Sequence, residues 1–74
     1  MTKRQAEIIL AYAKGNMNTK SASEKVFMCR QNVRYHLRAI RKQMGRDPCN
    51  FFDLCYLVGI AVQKLGPDEN QDRP

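Results

Sequence analysis

The segment 28–46, MCRQNVRYHLRAIRKQMGR, carries the strongest pattern in the chain, with six basic residues and no acidic one. At 100° per residue, its apolar positions fall on one side of an α-helix and its basic positions on the neighbouring side. The apolar side comprises Val33, Leu37, Ile40 and Met44. A glycine at position 45 is a typical helix stop. The pattern therefore predicts a helix over about 30–44 with an apolar stripe beside a cationic one.

Two helices are predicted before this one. Apolar residues at i, i+3, i+4 and i+7 from Ala6 indicate a helix over about 3–14, which Gly15 ends. A second helix is predicted over about 19–27, with Asn18 or Thr19 as its N-cap. The sequence Ser21-x-x-Glu24 is a competing capping box that would start this helix later.

The connection between the second and third helices is short, since it contains Phe27, Met28 and Cys29. Helices joined this closely must cross steeply, as in a helix-turn-helix, and we expect Phe27 and Met28 to be buried at the elbow. A fourth helix is predicted over about 51–65, capped by Asn50, with Asp53 in its first turn.

The predicted fold is therefore all-α. A length of 74 residues allows one small domain. We expect a compact four-helix helix-turn-helix domain over 1–65, in which a three-helix core of the winged-helix or homeodomain kind is followed by a C-terminal helix. Residues 66–74, GPDENQDRP, are predicted to be a flexible polar tail.

Charge and cysteine content restrict the function. The chain has 13 basic and seven acidic residues, and residues 1–46 alone have a balance of +9, which favours a polyanionic partner. The longest uncharged apolar run, 54–62, is too short to span a bilayer, so we expect no membrane association. Three cysteines without a Cys-x-x-Cys pair favour a reducing, cytoplasmic location. The spacing of these cysteines and His36 matches no zinc signature, so no metal or cofactor is expected.

The third helix is predicted to bind double-stranded DNA. Arginine pairs with guanine and Gln or Asn with adenine in the major groove, and a recognition helix presents its N-terminal residues to the bases. The candidate base contacts are Gln31, Asn32, Arg34 and Tyr35. The candidate phosphate contacts are Lys20, Ser21, Arg30, Arg38, Arg41 and Lys42. Alternatively, the Tyr35 ring packs against the second helix with its hydroxyl exposed, and His36 is expected to be a packed surface residue.

The run 22–40 reads ASEKVFMCRQNVRYHLRAI, and Gly45 follows five residues after its end. It begins with a small pair followed by an aliphatic residue. From position 30 to 40 it has the pattern Arg-x-x-aliphatic-x-Tyr-x-Leu-x-x-Ile. It resembles the C-terminal helix-turn-helix domain of the PucR/CdaR-type bacterial transcription regulators. The resemblance covers about 5–65, and the first and fourth helices match in pattern alone. It implies a bacterial transcription regulator that binds DNA through the third helix.

The sequence differs from the usual pattern of this family at four positions. Cys29 replaces the usual His, Asn32 the usual Thr and His36 the usual Arg, while Ser23 stands where Ala is usual. These changes imply a different sequence preference on DNA. The family carries this domain at the end of a larger sensor protein, so its response to effectors is not transferred to this chain.

The fourth helix is apolar over more than half of its circumference, which is typical of a partner interface. We predict a homodimer through Phe51, Phe52, Tyr56, Leu57 and Ile60, with Gly59 permitting close approach. The alternative is that this helix is the central core element, wrapped by the other three. Cys55 is expected to be a small core residue.

The sequence is also compatible with functions other than DNA binding. The main alternative is an interaction module whose basic face binds an acidic protein. No enzyme is predicted, because the sequence contains no paired catalytic carboxylates, no glycine-rich phosphate loop and no nucleophile partner for His36. Cys29, beside Arg30 at a helix start, remains a candidate redox-sensing residue.

Overall fold

The computed structural model describes residues 1–66, which form four helices and no strand. The predicted all-α class is therefore confirmed. The helices are α1 (Lys3–Lys14), α2 (Thr19–Val26), α3 (Arg30–Met44) and α4 (Phe51–Leu65). Residues 67–74, which make up most of the predicted polar tail, lie outside the described part of the chain.

Helix α1 is the scaffold of the fold, because it packs against each of the other three helices. Its residues Ala6, Ile8 and Ile9 are completely buried. Helix α2 also packs against α3, whereas α3 and α4 do not contact each other. The alternative in which α4 is the central core element is therefore wrong, since α1 occupies that position.

Side-chain caps define three of the helix starts. The Thr2 hydroxyl accepts a hydrogen bond from the Gln5 N–H, and Gln5 Oε1 accepts one from the Thr2 N–H, at 3.1 and 3.0 Å. Asn18 Oδ1 accepts from the Ser21 N–H at 3.0 Å, and Asn50 Oδ1 from the Asp53 N–H at 3.1 Å. The Asn18 start is thus confirmed, and the later start at the Ser21 capping box is wrong.

A close approach at Gly15 sets the position of α2 against α1. A Cβ atom at this position would lie 2.7 Å from Ser21 Oγ and 2.9 Å from Ser21 Cβ, closer than non-bonded atoms tolerate. The two residues that follow, Asn16 and Met17, are both left-handed, with φ of 59° and 61°. The chain therefore reverses sharply after α1, and Ser21 at the start of α2 packs against Gly15 at the end of α1.

The turn between α2 and α3 differs from the prediction. Phe27 is left-handed, with φ 57° and ψ 48°, and the Met28 N–H donates to the Ser23 carbonyl at 3.1 Å, as in a Schellman motif. The Phe27 side chain is 90% exposed and Met28 is half-buried. The prediction that both are buried at the elbow is wrong for Phe27, because Val26 is the residue that enters the core there.

An arginine of α1 completes the end of α2. Arg4 Nη2 donates to the Val26 carbonyl at 2.6 Å, and Arg4 Nη1 lies 2.9 Å from Glu7 Oε1. Since the last carbonyls of a helix lack partners within it and carry partial negative charge, a guanidinium here stabilises the end of α2. The contact spans 22 residues of sequence and links the first turn of α1 to the end of α2.

The loop between α3 and α4 is held by polar contacts around Asp53. The Asp47 N–H donates to Asp53 Oδ2 at 3.1 Å, and Arg46 Nη1 lies 3.5 Å from Asp53 Oδ1. The Arg46 guanidinium also lies over the Tyr56 ring, 4.3 Å from its centroid. These contacts attach the end of α3 to the first turn of α4.

The same loop is anchored to α1 through Tyr12. Its hydroxyl donates to Cys49 Sγ at 3.5 Å, and Pro48 beside it is completely buried. Burial raises the pKa of the Tyr12 hydroxyl to about 12, and the hydrogen bond to Cys49 and the charges of Cys49 and Asp47 act in the same direction. Tyr12 therefore favours the neutral form of its hydroxyl in the folded protein.

Candidate nucleic-acid interface

The side of α3 that faces away from the core is cationic. Val33, Leu37 and Ile40 are buried and Met44 is half-buried, as the sequence predicts. The basic face of α3, as we define it here, comprises Arg30, Arg34, Arg38, Arg41 and Lys42, all of which are exposed. Helical periodicity thus separates the residues that hold α3 in the fold from those that can meet a partner.

The positive charges of the basic face have no acidic partner among residues 1–66. The ion pairs within residues 1–66 join Arg4 to Glu7 and Arg46 to Asp53, so no described acidic group neutralises the basic face. Arg30, Arg34 and Arg38 follow one another at i, i+4, where like charges repel by a few tenths of a kcal/mol per pair. An anionic partner would remove this repulsion and gain from every one of the five charges.

The candidate base contacts all lie on the exposed side of α3. Gln31, Asn32 and Arg34 are exposed, and they occupy the first turn and a half of the helix. Tyr35 is 63% exposed, and its ring meets the His36 ring edge-on at 5.6 Å between centroids. The alternative in which Tyr35 exposes its hydroxyl alone is therefore wrong.

His36 lies at the edge between the apolar and cationic sides of α3. It is half-buried, as expected for a packed surface histidine. Its Nδ1 atom is buried and has no hydrogen-bond partner among the described residues.

The two candidate phosphate contacts on α2 differ from each other. Lys20 is exposed and follows the N-cap by two residues. Ser21 is half-buried, and its hydroxyl lies beside Gly15. Lys20 is thus the better placed of the two to reach a phosphate.

The sequence interpretation missed the roles of two arginines. Arg4 binds the end of α2, and Arg46 binds Asp53 and Tyr56 of the α4 region, so neither belongs to the basic face of α3. The spacing of Arg4 and Glu7 at i, i+3 signals their ion pair. No local signal identifies the contact with Val26.

The predicted dimer residues of α4 do not share one face. Phe51, Phe52 and Tyr56 are exposed and Ile60 is half-buried, but Leu57 is completely buried. Leu57 is therefore wrong as an interface residue, because it packs in the core. Cys55 is exposed, so the prediction that it is a core residue is also wrong.

Cys29 and the other two cysteines are free and exposed. Among residues 1–66 no group of three or more His, Cys, Asp or Glu side chains is placed to hold a metal ion. None of the four helices described has the length and apolar content to cross a membrane.

Comparison of the chain with protein-family models, with curated proteins and with solved structures gave no match. The resemblance to the PucR/CdaR-type domain therefore remains a prediction that depends on the residues quoted for it.

Proposed function

We propose that this chain binds double-stranded DNA by inserting α3 into the major groove and that it acts as a transcription regulator. The observation that carries the proposal is the basic face of α3, whose five exposed cations have no acidic partner among the described residues. This helix follows α2 after three residues, which is the arrangement that presents a recognition helix to a groove.

The distribution of side chains on α3 suits both parts of duplex recognition. Gln31, Asn32 and Arg34, near the start of the helix, carry the groups that pair with base edges. Arg38, Arg41 and Lys42 continue the same exposed side towards the C-terminus, and Lys20 on α2 is also exposed. Cations at these positions suit phosphates, which set the position of the protein on the duplex.

The cellular location follows from the proposed partner. If the chain is a bacterial regulator, as its resemblance implies, it acts in the cytoplasm, where the DNA is. Three free cysteines agree with a reducing compartment.

The proposal is tested by fluorescence anisotropy with duplexes selected from a random library. The logarithm of the binding constant should fall with the logarithm of salt concentration. The slope should be about −4.5 if five cations meet phosphates, namely Lys20, Arg30, Arg38, Arg41 and Lys42. Arg34→Ala should weaken the selected duplex by roughly 5- to 150-fold and relax its sequence preference. Arg41→Ala should weaken all duplexes alike and reduce the slope by about one.

A matched control is Lys64→Ala, which removes an exposed positive charge from α4 rather than from the basic face of α3. This variant should keep the affinity and the salt slope. If Arg34→Ala and Arg41→Ala bind duplex as the unmodified chain does, DNA binding through α3 is refuted. If polyglutamate competes as well as the selected duplex does, the interaction module for an acidic protein is the better description.

A further inference from the structure

The outer face of α4 is an unusual surface for a small protein. We define it as Phe51, Phe52, Cys55, Tyr56, Gly59, Val62 and Gln63, all of which are exposed. At 100° per residue, these positions lie within about 80° of Gly59, opposite the buried Leu54, Leu57 and Ala61. Between positions 54 and 63 the helix carries no charge, so the outer face of α4 is uncharged over this range.

The spacing along this face is that of a helix-pairing seam. Phe52, Cys55, Gly59 and Val62 follow one another at intervals of three, four and three residues, as a and d positions do in paired helices. Gly59 lies at the centre of the seam, and a Cβ atom added there would meet nothing within 4 Å. A glycine in mid-helix costs about 1 kcal/mol relative to alanine. Packing within the described fold gives no reason for it.

The exposed aromatic side chains of this face supply part of the area that a dimer interface needs. A fully exposed aromatic side chain presents roughly 200 Å². With Phe51, Phe52 and Tyr56 exposed by 60%, 79% and 50%, these rings leave roughly 400 Å² uncovered. That is about half of the roughly 800 Å² that each partner contributes to a standard interface.

An adjoining groove extends this surface. It has a volume of about 440 Å³ and is lined by Ala13 and Met17 on one side and by Phe51, Cys55 and Val58 on the other. Its walls are mainly apolar, so a partner helix on the outer face of α4 would bury apolar surface there as well.

The charges at the two ends of α4 select the orientation. Asp53 lies six residues before Gly59, and Lys64 lies five residues after it. In an antiparallel pair that crosses at Gly59, the Asp53 end of one α4 lies beside the Lys64 end of the other, so opposite charges share each end of the pair. A parallel pair would instead place both Lys64 residues at one end of the pair and both Asp53 residues at the other.

We propose that the outer face of α4 binds a second copy of this chain, as an antiparallel two-fold pair that crosses at Gly59. The interface is isologous, so one patch serves both copies. The outer face of α4 and the basic face of α3 have no residue in common, so the pairing proposed uses none of the five cations. The proposal does not depend on DNA binding, and its test contains no DNA.

The first test is sedimentation equilibrium on the whole chain. The unmodified chain should show twice the mass of 8.6 kDa, and Phe52→Glu and Gly59→Gln should each restore the single-chain mass. Gly59→Gln replaces a poor helix former with a good one, so this variant should keep the fold. Its longer side chain obstructs the close approach of the two α4 helices at position 59. Phe27→Glu is the matched control, since it changes an exposed phenylalanine outside the outer face of α4 and should leave the dimer intact.

Two results would overturn the proposal. One is a single-chain mass for the unmodified protein at concentrations up to about 1 mM, where even a weak dimer is populated. The other is a dimer that survives both α4 substitutions or that the Phe27 control dissociates.

The orientation is tested by cross-linking with copper phenanthroline and air, after Cys29→Ser and Cys49→Ser. In the antiparallel pair, position 55 of one copy faces position 63 of the other, four residues on either side of Gly59. Adding Gln63→Cys should therefore produce a covalent dimer in good yield, whereas Cys55 alone should give little. The reverse result indicates a parallel pair and refutes the crossing at Gly59.

Discussion

Helices α3 and α4 each contain 15 residues, and each buries three of them against the rest of the molecule. Their outer sides have opposite chemistry. The outer side of α3 carries five cations without a described acidic partner, while that of α4 is aromatic and uncharged. The inner residues hold each helix in the same small fold, so the outer residues are free to specify two different partners.

The largest expected effect comes from breaking the inner sides. Ile40→Ala and Leu57→Ala remove completely buried side chains from α3 and α4, and each should lower the free energy of unfolding by about 2–5 kcal/mol. Urea unfolding followed by circular dichroism measures both. Lys42→Ala on the outer side of α3 and Gln63→Ala on the outer side of α4 should each change the free energy of unfolding by less than about 0.5 kcal/mol. A small effect of Leu57→Ala would mean that α4 is not docked as described.

The connection between the two helices should be sensitive to alkali. Because burial raises the pKa of Tyr12 to about 12, the neutral hydroxyl is favoured in the folded state. The stability that this contributes is complete below pH 10, the ordinary tyrosine pKa, and is lost as pH rises towards 12. The loss should reach about 2–3 kcal/mol.

Thermal unfolding of the unmodified chain and of Tyr12→Phe between pH 8 and 11.5 measures this loss. The Phe variant should lose less stability over that range, because it has no hydroxyl to ionise at this site. Equal losses in the two proteins would show that another group controls the alkaline transition.

Two glycines should respond in opposite directions to alanine. Gly45 ends α3 with φ of 69°, a left-handed conformation that costs a non-glycine residue about 1 kcal/mol, so Gly45→Ala should destabilise the protein. Gly59 is helical and has open space around it, so Gly59→Ala should stabilise the single chain by up to about 1 kcal/mol.

Each change corresponds to about 4–8 °C in the melting temperature of a domain of this size. The Gly59 comparison is made in a Phe52→Glu background, which separates the stability of the fold from pairing. Destabilisation by Gly59→Ala in that background would mean that its surroundings within the chain are not open.

Local sequence signals were sufficient to predict where the four helices lie. The starts at Asn18 and Asn50 follow from side chains that accept free N–H groups, and the buried stripe of α3 follows from the spacing of Val33, Leu37 and Ile40. The same helical periodicity correctly predicts that the basic residues of α3 lie apart from this buried stripe. These features depend on neighbours within one or two helical turns.

Features that depend on distant contacts were not predictable. Phe27 was expected inside because it is apolar, but its left-handed conformation, unusual for an aromatic residue, leaves it exposed. Leu57 and Cys55 were assigned to the wrong sides, because a helix that is apolar nearly all round does not indicate which side meets α1. The bond from Arg4 to the Val26 carbonyl joins residues 22 apart and has no periodic signal.

The absence of contact between α3 and α4 within this part of the chain has a practical consequence. Substitutions at well-separated sites without shared neighbours usually add in free energy. The exposed residues Gln31, Asn32, Arg34 and Tyr35 can therefore be varied without altering the outer face of α4. Helices α3 and α4 both pack against α1, so this independence applies to their exposed residues and not to their buried ones.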